Sequence, residues 1–218
     1  MSPSVVVRQA RRRGLELIAI CDHNSGENVQ AVSRAAQRAG LAVIGGMEIT
    51  SREEVHVLGL FGDDRRLAAA QREVYDHLPG ENDPEAFGEQ LVMDEQDRVI
   101  GHNRRLLIGA TDLTLDEVVR AVHELDGLAI ASHVDRPSFS VLSQLGFIPE
   151  GLGLDAVEVG SGPVPSLPES LPVIWSSDAH FPDQIGARHT RFLIASPTQS
   201  EIGMALRRTA QRRVLTGR

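Results

Sequence analysis

The chain has one cysteine, Cys21, and aromatic residues make up only 4% of it. A single thiol excludes a disulfide framework and a cysteine-only metal site, and it suits a reducing cytoplasm. Scarce aromatics leave the core to Leu, Val, Ile and Ala. No apolar run approaches the roughly 20 residues that span a bilayer, and no signal-type hydrophobic stretch follows Met1, so no membrane role is expected. There is no Gly-x-x-x-x-Gly-Lys phosphate loop, no Gly-x-Ser-x-Gly elbow and no Cys-x-x-Cys pair, so those chemistries are unsupported. Positive charge is also in deficit. With 22 Lys+Arg against 30 Asp+Glu the net charge is −8, which disfavours general affinity for long nucleic acid. What the 218 residues do hold is enough apolar sequence for one buried core, and 8 His.

Short apolar runs alternate with helix-patterned stretches. Strands are expected at about 15–20, 41–45, 55–61, 128–131, 156–159, 173–175 and 192–194. Helices are expected at about 3–13, 27–39, 64–77, 115–125, 139–145 and 199–212, with Ser2-Pro3 opening the first, and Gly14, Gly40 and Gly127 stopping helices before strands. Such alternation predicts an α/β fold with a mostly parallel sheet, covered on both faces. The turn between Gly46 and His56 is too short for a parallel crossover, so either those two strands run antiparallel or the second starts at the rim where the first ended; both place Glu48 and His56 on one rim. A Gly/Pro-rich connection is expected at 160–172. Segment 62–126 reads as an inserted lobe, with a hairpin in Gln90-Leu-Val-Met-Asp-Glu-Gln-Asp-Arg-Val-Ile100, and residues 1–61 and 127–218 as the main domain. Set after a rim residue, that lobe is placed either as a lid or as packing filler.

Chemistry-bearing residues fall at strand ends. Asp22 and His23 follow one strand and Glu48 the next; His56 opens another; His133, Glu158, Asp178 and His180 follow later ones. Carboxyl ends of parallel strands converge on one rim, so residues distant in sequence meet there. Imidazoles with carboxylates suit divalent Zn, Mn or Fe, and two ions sharing a hydroxide hydrolyse phosphate esters. Singly, each residue has a plainer role: Asp22 and Asp178 as caps or turns, His56 in the wall, Glu158 paired with an arginine. The coincidence favours metal. Arg136 is a phosphate-gripping candidate because a guanidinium forks onto two oxygens. The Arg11-Arg12-Arg13 run reads as a solvated helix end.

These motifs resemble the PHP (polymerase and histidinol phosphatase) family. The resemblance rests on Ile20-Cys-Asp-His-Asn-Ser, Gly46-Met-Glu-Ile-Thr with His56-Val-Leu-Gly, Ala131-Ser-His-Val-Asp-Arg-Pro and Ser177-Asp-Ala-His, in that order. It implies a distorted seven-stranded β/α barrel, up to three divalent ions (Mn, Zn or Fe), and phosphoesterase activity on a small phosphorylated metabolite, a nucleotide or an oligonucleotide end. By position, Glu48 would bridge two ions, with His56 and His133 completing one. Asp178 would hold the second, His23 with His180 the third, and Asp22 would stand at or just beyond the ions as a catalytic group beside Arg136. The family opens with a strand bearing His-x-His, whereas no His here precedes His23. A barrel lacking its first strand is therefore expected, through a misplaced start codon or through loss, with an open edge that invites a homodimer. The competing expectation is an impaired barrel that only binds metal or ligand.

Overall fold

A computed structural model describes residues 1–160 and 167–215. The elements, in order, are α1 (Pro3–Arg12), β1 (Leu17–Ile20), α2 (Val29–Gln37), β2 (Ala42–Thr50), β3 (His56–Phe61), α3 (Asp64–Asp76), α4 (Pro84–Phe87), β4 (Leu91–Met93) and β5 (Val99–His102). There follow α5 (Leu115–Glu124), β6 (Leu128–Ala131), α6 (Val141–Leu145), β7 (Ala156–Val159), β8 (Val173–Trp175), a 3-10 turn (Pro182–Gln184), β9 (Phe192–Leu193), α7 (Gln199–Leu206) and β10 (Arg213–Val214). Of the expected Gly/Pro-rich connection at 160–172, residues 161–166 lie outside the described residues.

One sheet of six strands, in the order β1-β2-β3-β6-β7-β8, organises the molecule. All pairings are parallel except those of β3, which runs antiparallel to both β2 and β6; for β2 this is the first of the two arrangements that the short Gly46–His56 turn leaves open. The sheet is curled. Across a flat sheet, its two edge strands would stand about 24 Å apart over five interstrand gaps. Yet the rings of His23, just past β1, and His180, just past β8, lie 6.2 Å apart. The result is a mixed α/β half-barrel.

Alternation along the strands builds two cores. Met47, Ile49, Val57, Ala129, Ala131, Val157 and Val159 face outward onto α3 and α5. Ile44, Leu60, Leu128, Ile130 and Ala156 face inward, where Ile202 and Leu206 of α7 with Phe192 and Val214 fill the lower half of the hollow. The helices start where their caps dictate: Asp63 accepts from the backbone N–H of Arg65 and Arg66, and Thr114 with Glu117 forms a capping box. Among the described residues no helix is long and apolar enough to cross a membrane.

Three expectations change. Strand β2 does not stop at Gly45 but runs to Thr50, so Glu48 sits inside the strand, opposite Leu58. The last helix ends at Leu206 rather than 212, because Arg208, Ala210 and Gln211 take left-handed φ values of 54°, 49° and 62° and turn the chain back. That return lets Arg213–Val214 pair with Phe192–Leu193 as a separate ribbon, so the strand expected at 192–194 lies outside the main sheet. Helices α3 and α5 of the 62–126 segment pack on the main core, while α4 and the β4–β5 hairpin project.

Candidate metal centre

The inward parity of the strands delivers the site. After β1 the chain continues in register beside β2, through a parallel bridge between His23 and Glu48. Gly46, one inward position below Glu48, lets the strands close up: a Cβ there would lie 2.6 Å from the Gly59 carbonyl and 2.9 Å from Cys21 Sγ. Glu48 is buried, and three imidazoles surround its carboxylate. His23 Nδ1 is 3.3 Å from Oε2, His56 Nδ1 is 3.3 Å from Oε1, and His133 Nε2 is 3.4 Å from Oε1. His56 Nδ1 and His133 Nε2 are themselves 3.2 Å apart. Phe139 stacks on His56 at a ring separation of 4.9 Å, and its carbonyl accepts from the His56 backbone N–H.

Beneath the imidazoles lies a second buried carboxylate. Glu158 on β7 is 1% exposed. Ser132 Oγ is 2.7 Å from Glu48 Oε1 and 3.2 Å from Glu158 Oε2, and Ser176 Oγ bonds Glu158 Oε1.

Asp178 and His180 occupy the far side of the cup. His180 Nδ1 is 3.0 Å from the Asp178 carbonyl, an arrangement that places the ring proton on Nδ1 and leaves Nε2 a free lone pair. Arg136 NH2 is 2.6 Å from Asp178 Oδ2. His133 and Asp178 both carry positive φ, 28° and 41°, a strained backbone held in place at a functional rim. Asp22 stands apart. It is exposed and lies on the opposite parity to His23; its backbone carbonyl, 3.0 Å from the Glu48 N–H, is what ties it to the centre.

The neighbourhood sets the protonation. Burial would raise the Glu48 carboxyl, but hydrogen bonds from His133 and His56, with the charge of His56 and His23, hold it well below the usual carboxylate range. Burial lowers His133, yet its bond to Glu48 raises it overall; His23, where burial dominates, is lowered. Burial raises Glu158 and, joined by the charges of Glu48 and Glu158, keeps the Cys21 thiol far from ionising.

These residues fit a divalent cation. His23, Glu48 and His56 offer ligand atoms that all lie within 4.8 Å of one another. Nδ1 of His133 is buried with no hydrogen-bond partner, and Nδ1 of His23 and Oδ2 of Asp178, also buried, meet only charged neighbours, Glu48 Oε2 at 3.3 Å and Arg136 NH2 at 2.6 Å. Lone pairs crowded together and short of protons are the signature of a site built for positive charge. The structure thus gathers His23, Glu48, His56 and His133 tightly, sets Asp178, His180 and Arg136 beside them, and ties Asp22 to Glu48 through its backbone carbonyl.

Three contributors, Ser132, Ser176 and Asn24, were not singled out by sequence, whereas Glu158 was, as an acid inside the apolar run Ala-Val-Glu-Val on the inward parity. The serines carry no signal of their own, and neither does Asn24. Fully buried at φ 46°, its Nδ2 donates to the carbonyls of Leu107 and Gly109, and its Oδ1 accepts from the Thr50 N–H. The projecting segment is thereby fastened to the loop that bears His23.

No family model matches the chain. A 5'-3' exoribonuclease of Haemophilus influenzae is 32% identical over 63 residues, which are 28% of this chain and 23% of that protein. The lesion-specific endonuclease PfuEndoQ from Pyrococcus furiosus superposes with a TM-score of 0.73 at 19% identity, covering 100% of this chain and 54% of that one. A two-domain protein from Bacteroides vulgatus, containing a predicted PHP-like metal-dependent phosphoesterase, gives 0.54 at 18% identity, covering 94% of this chain and 57% of that one. The chain therefore spans about a quarter of the exoribonuclease and little more than half of either solved structure. At these identities the structural likeness is one of fold, a mixed α/β half-barrel.

Proposed function

We propose that the chain is a metal-dependent phosphoesterase of the PHP type, acting on phosphodiesters. One observation carries this reading: the buried Glu48 carboxylate meets imidazoles supplied by the ends of three separate strands. Glu48, His23, His56 and His133 would hold one ion, and Asp178 with His180 a second. Mn, Zn or Fe suits this mixture of donors. Ions held there supply the positive charge that polarises a phosphoryl oxygen and acidifies an attacking water.

The residues divide the remaining work. Ser132 fixes the angle of the Glu48 carboxylate and Phe139 that of the His56 ring. Arg136, half-exposed beside Asp178, turns its free face to the ester oxygens. Asp22, exposed next to His23, anchors Glu48 through its carbonyl. A phosphodiester is favoured over a small monoester because the exoribonuclease and PfuEndoQ, to which the chain is similar, are both nucleases by name.

The test is turnover of bis(p-nitrophenyl) phosphate by protein stripped with EDTA and reloaded with Mn. The reading expects hydrolysis that depends on added metal and is lost in Glu48→Gln. Metal-loaded protein that leaves the ester intact contradicts it.

A further inference from the structure

The net charge of −8 hides a segregation. Residues 187–218 contain seven arginines and one acid, Glu201, whereas residues 1–186 contain fifteen arginines and twenty-nine acids. The chain has no lysine, so every fixed side-chain cation is a guanidinium, the group that forks onto phosphate oxygens and stacks on bases.

The fold brings this basic segment to the opening between the two sheet edges. Segment 186–191 bridges that opening: a Cβ on Gly186 would lie 2.9 Å from Arg13 Cβ, and the Thr190 hydroxyl clasps the N–H and carbonyl of Trp175 at the end of β8. Arg13 donates to the Asp183 carbonyl on the same stretch, so the end of α1, with Arg11 and Arg12 exposed, lies alongside. Next comes the β9–β10 ribbon. Its inner residues Phe192 and Val214 enter the core. Its outer face shows Arg191 and Arg213, diagonal to each other, with Leu193 (42% exposed) and Leu215 (36% exposed) completing the square. Arg191 and Arg213 form no side-chain ion pair among the described residues. By contrast, Arg207 is spent on Asp155 and Arg212 on Glu201.

We propose that this seam, from Arg11–Arg13 across the bridge to Arg191 and Arg213, receives the backbone of a single-stranded nucleic acid whose phosphodiester reaches the Glu48 centre. The proposal rests on the phosphoesterase reading above and deepens it. Guanidiniums meet the phosphates, and the exposed leucines between them suit the apolar faces of unstacked bases. Thr190, next to Arg191, is fastened to Trp175, and Ser176, the following residue, bonds Glu158 under the metal cup. A strand lying along the ribbon therefore leads toward the site.

The test uses the full chain in EDTA and a fluorescein-labelled oligothymidylate about 20 nucleotides long. Anisotropy is followed from about 50 to 200 mM salt for wild type and for the double variant Arg191→Gln/Arg213→Gln. The seam predicts at least a tenfold loss of affinity, roughly, and a log–log salt slope shallower by about two. Turnover of bis(p-nitrophenyl) phosphate, measured separately on protein reloaded with Mn, should be unchanged in the double variant, since neither arginine touches the metal cup. Equal affinity and slope in variant and wild type overturn the proposal, as does a wild type that fails to bind the oligonucleotide. A double variant that changes only self-association, with oligonucleotide affinity intact, makes the ribbon a contact between copies and also overturns it. A wild type that binds but never turns over the small diester sinks the hydrolase reading instead, so the two failures are told apart.

Discussion

Glu48 and Glu158 arise on strands with two others between them, yet both reach the hydroxyl of Ser132, at 2.7 and 3.2 Å. A hydroxyl has one proton to donate. Given to the nearer, ionised Glu48, it leaves Glu158 to supply a proton of its own, in keeping with burial raising the Glu158 carboxyl. Ser132→Ala removes the strut while keeping the strand. The expected outcome is a 10- to 100-fold weaker divalent affinity, roughly, in chelator-competition titration, with the fold intact by circular dichroism. An unchanged affinity means that Glu48 is aimed by its imidazoles alone.

Glu158 also sets a pH dependence. Its carboxyl is raised in the folded chain, so on passing upward through the ordinary glutamate value near 4.3 the unfolded chain ionises first, and stability falls until the folded group ionises too. Below that value both states are protonated and the contribution is fully present. Glu158→Gln is neutral throughout and should escape the loss. Urea midpoints in EDTA should therefore shift in favour of the variant, relative to wild type, as the pH rises above about 4.3. A difference that stays constant over this range refutes a raised Glu158.

Asn24 pins the projecting segment. Replacing it with Ala strands two carbonyls and the Thr50 N–H, and forces a β-carbon onto a left-handed backbone. The expected loss is about 3 kcal/mol by urea denaturation. Asn24→Gly, which tolerates that φ, should recover about 1 kcal/mol of it. Equal losses in the two variants rule out a backbone contribution.

Arg136 and Asp178 form a half-exposed ion pair, which contributes less than about 1 kcal/mol to stability. If Arg136 grips the ester, Arg136→Ala should raise KM for the diester about tenfold and leave the melting temperature nearly unchanged. Lower stability at unaltered KM would make it a strut for Asp178.

Much of this fold is legible in local pattern. Apolar runs such as Leu128–Ala131 and Ala156–Val159 are buried on both faces and coincide with the observed strands. That no parallel crossover precedes His56 follows from chain length alone. What is not legible depends on partners remote in sequence. Gly45-Gly46 reads as a strand end, but Gly46 is there to admit the Gly59 carbonyl and Cys21. The β9–β10 ribbon needs Val214 to find the inner core, which no local period signals. In the site, the histidines and Glu48 stand out because strand ends rarely gather such residues. Ser132 and Asn24 do not, since their meaning lies wholly in what packs against them.

The most direct measurement is calorimetric titration of the EDTA-stripped chain with Mn and with Zn, beside Glu48→Gln. The account predicts at least one tightly held ion per chain, and an affinity lowered about 100-fold or more in the variant, with unchanged circular dichroism. A wild type that takes up no divalent cation, or a variant that binds it equally well, contradicts the account at its centre.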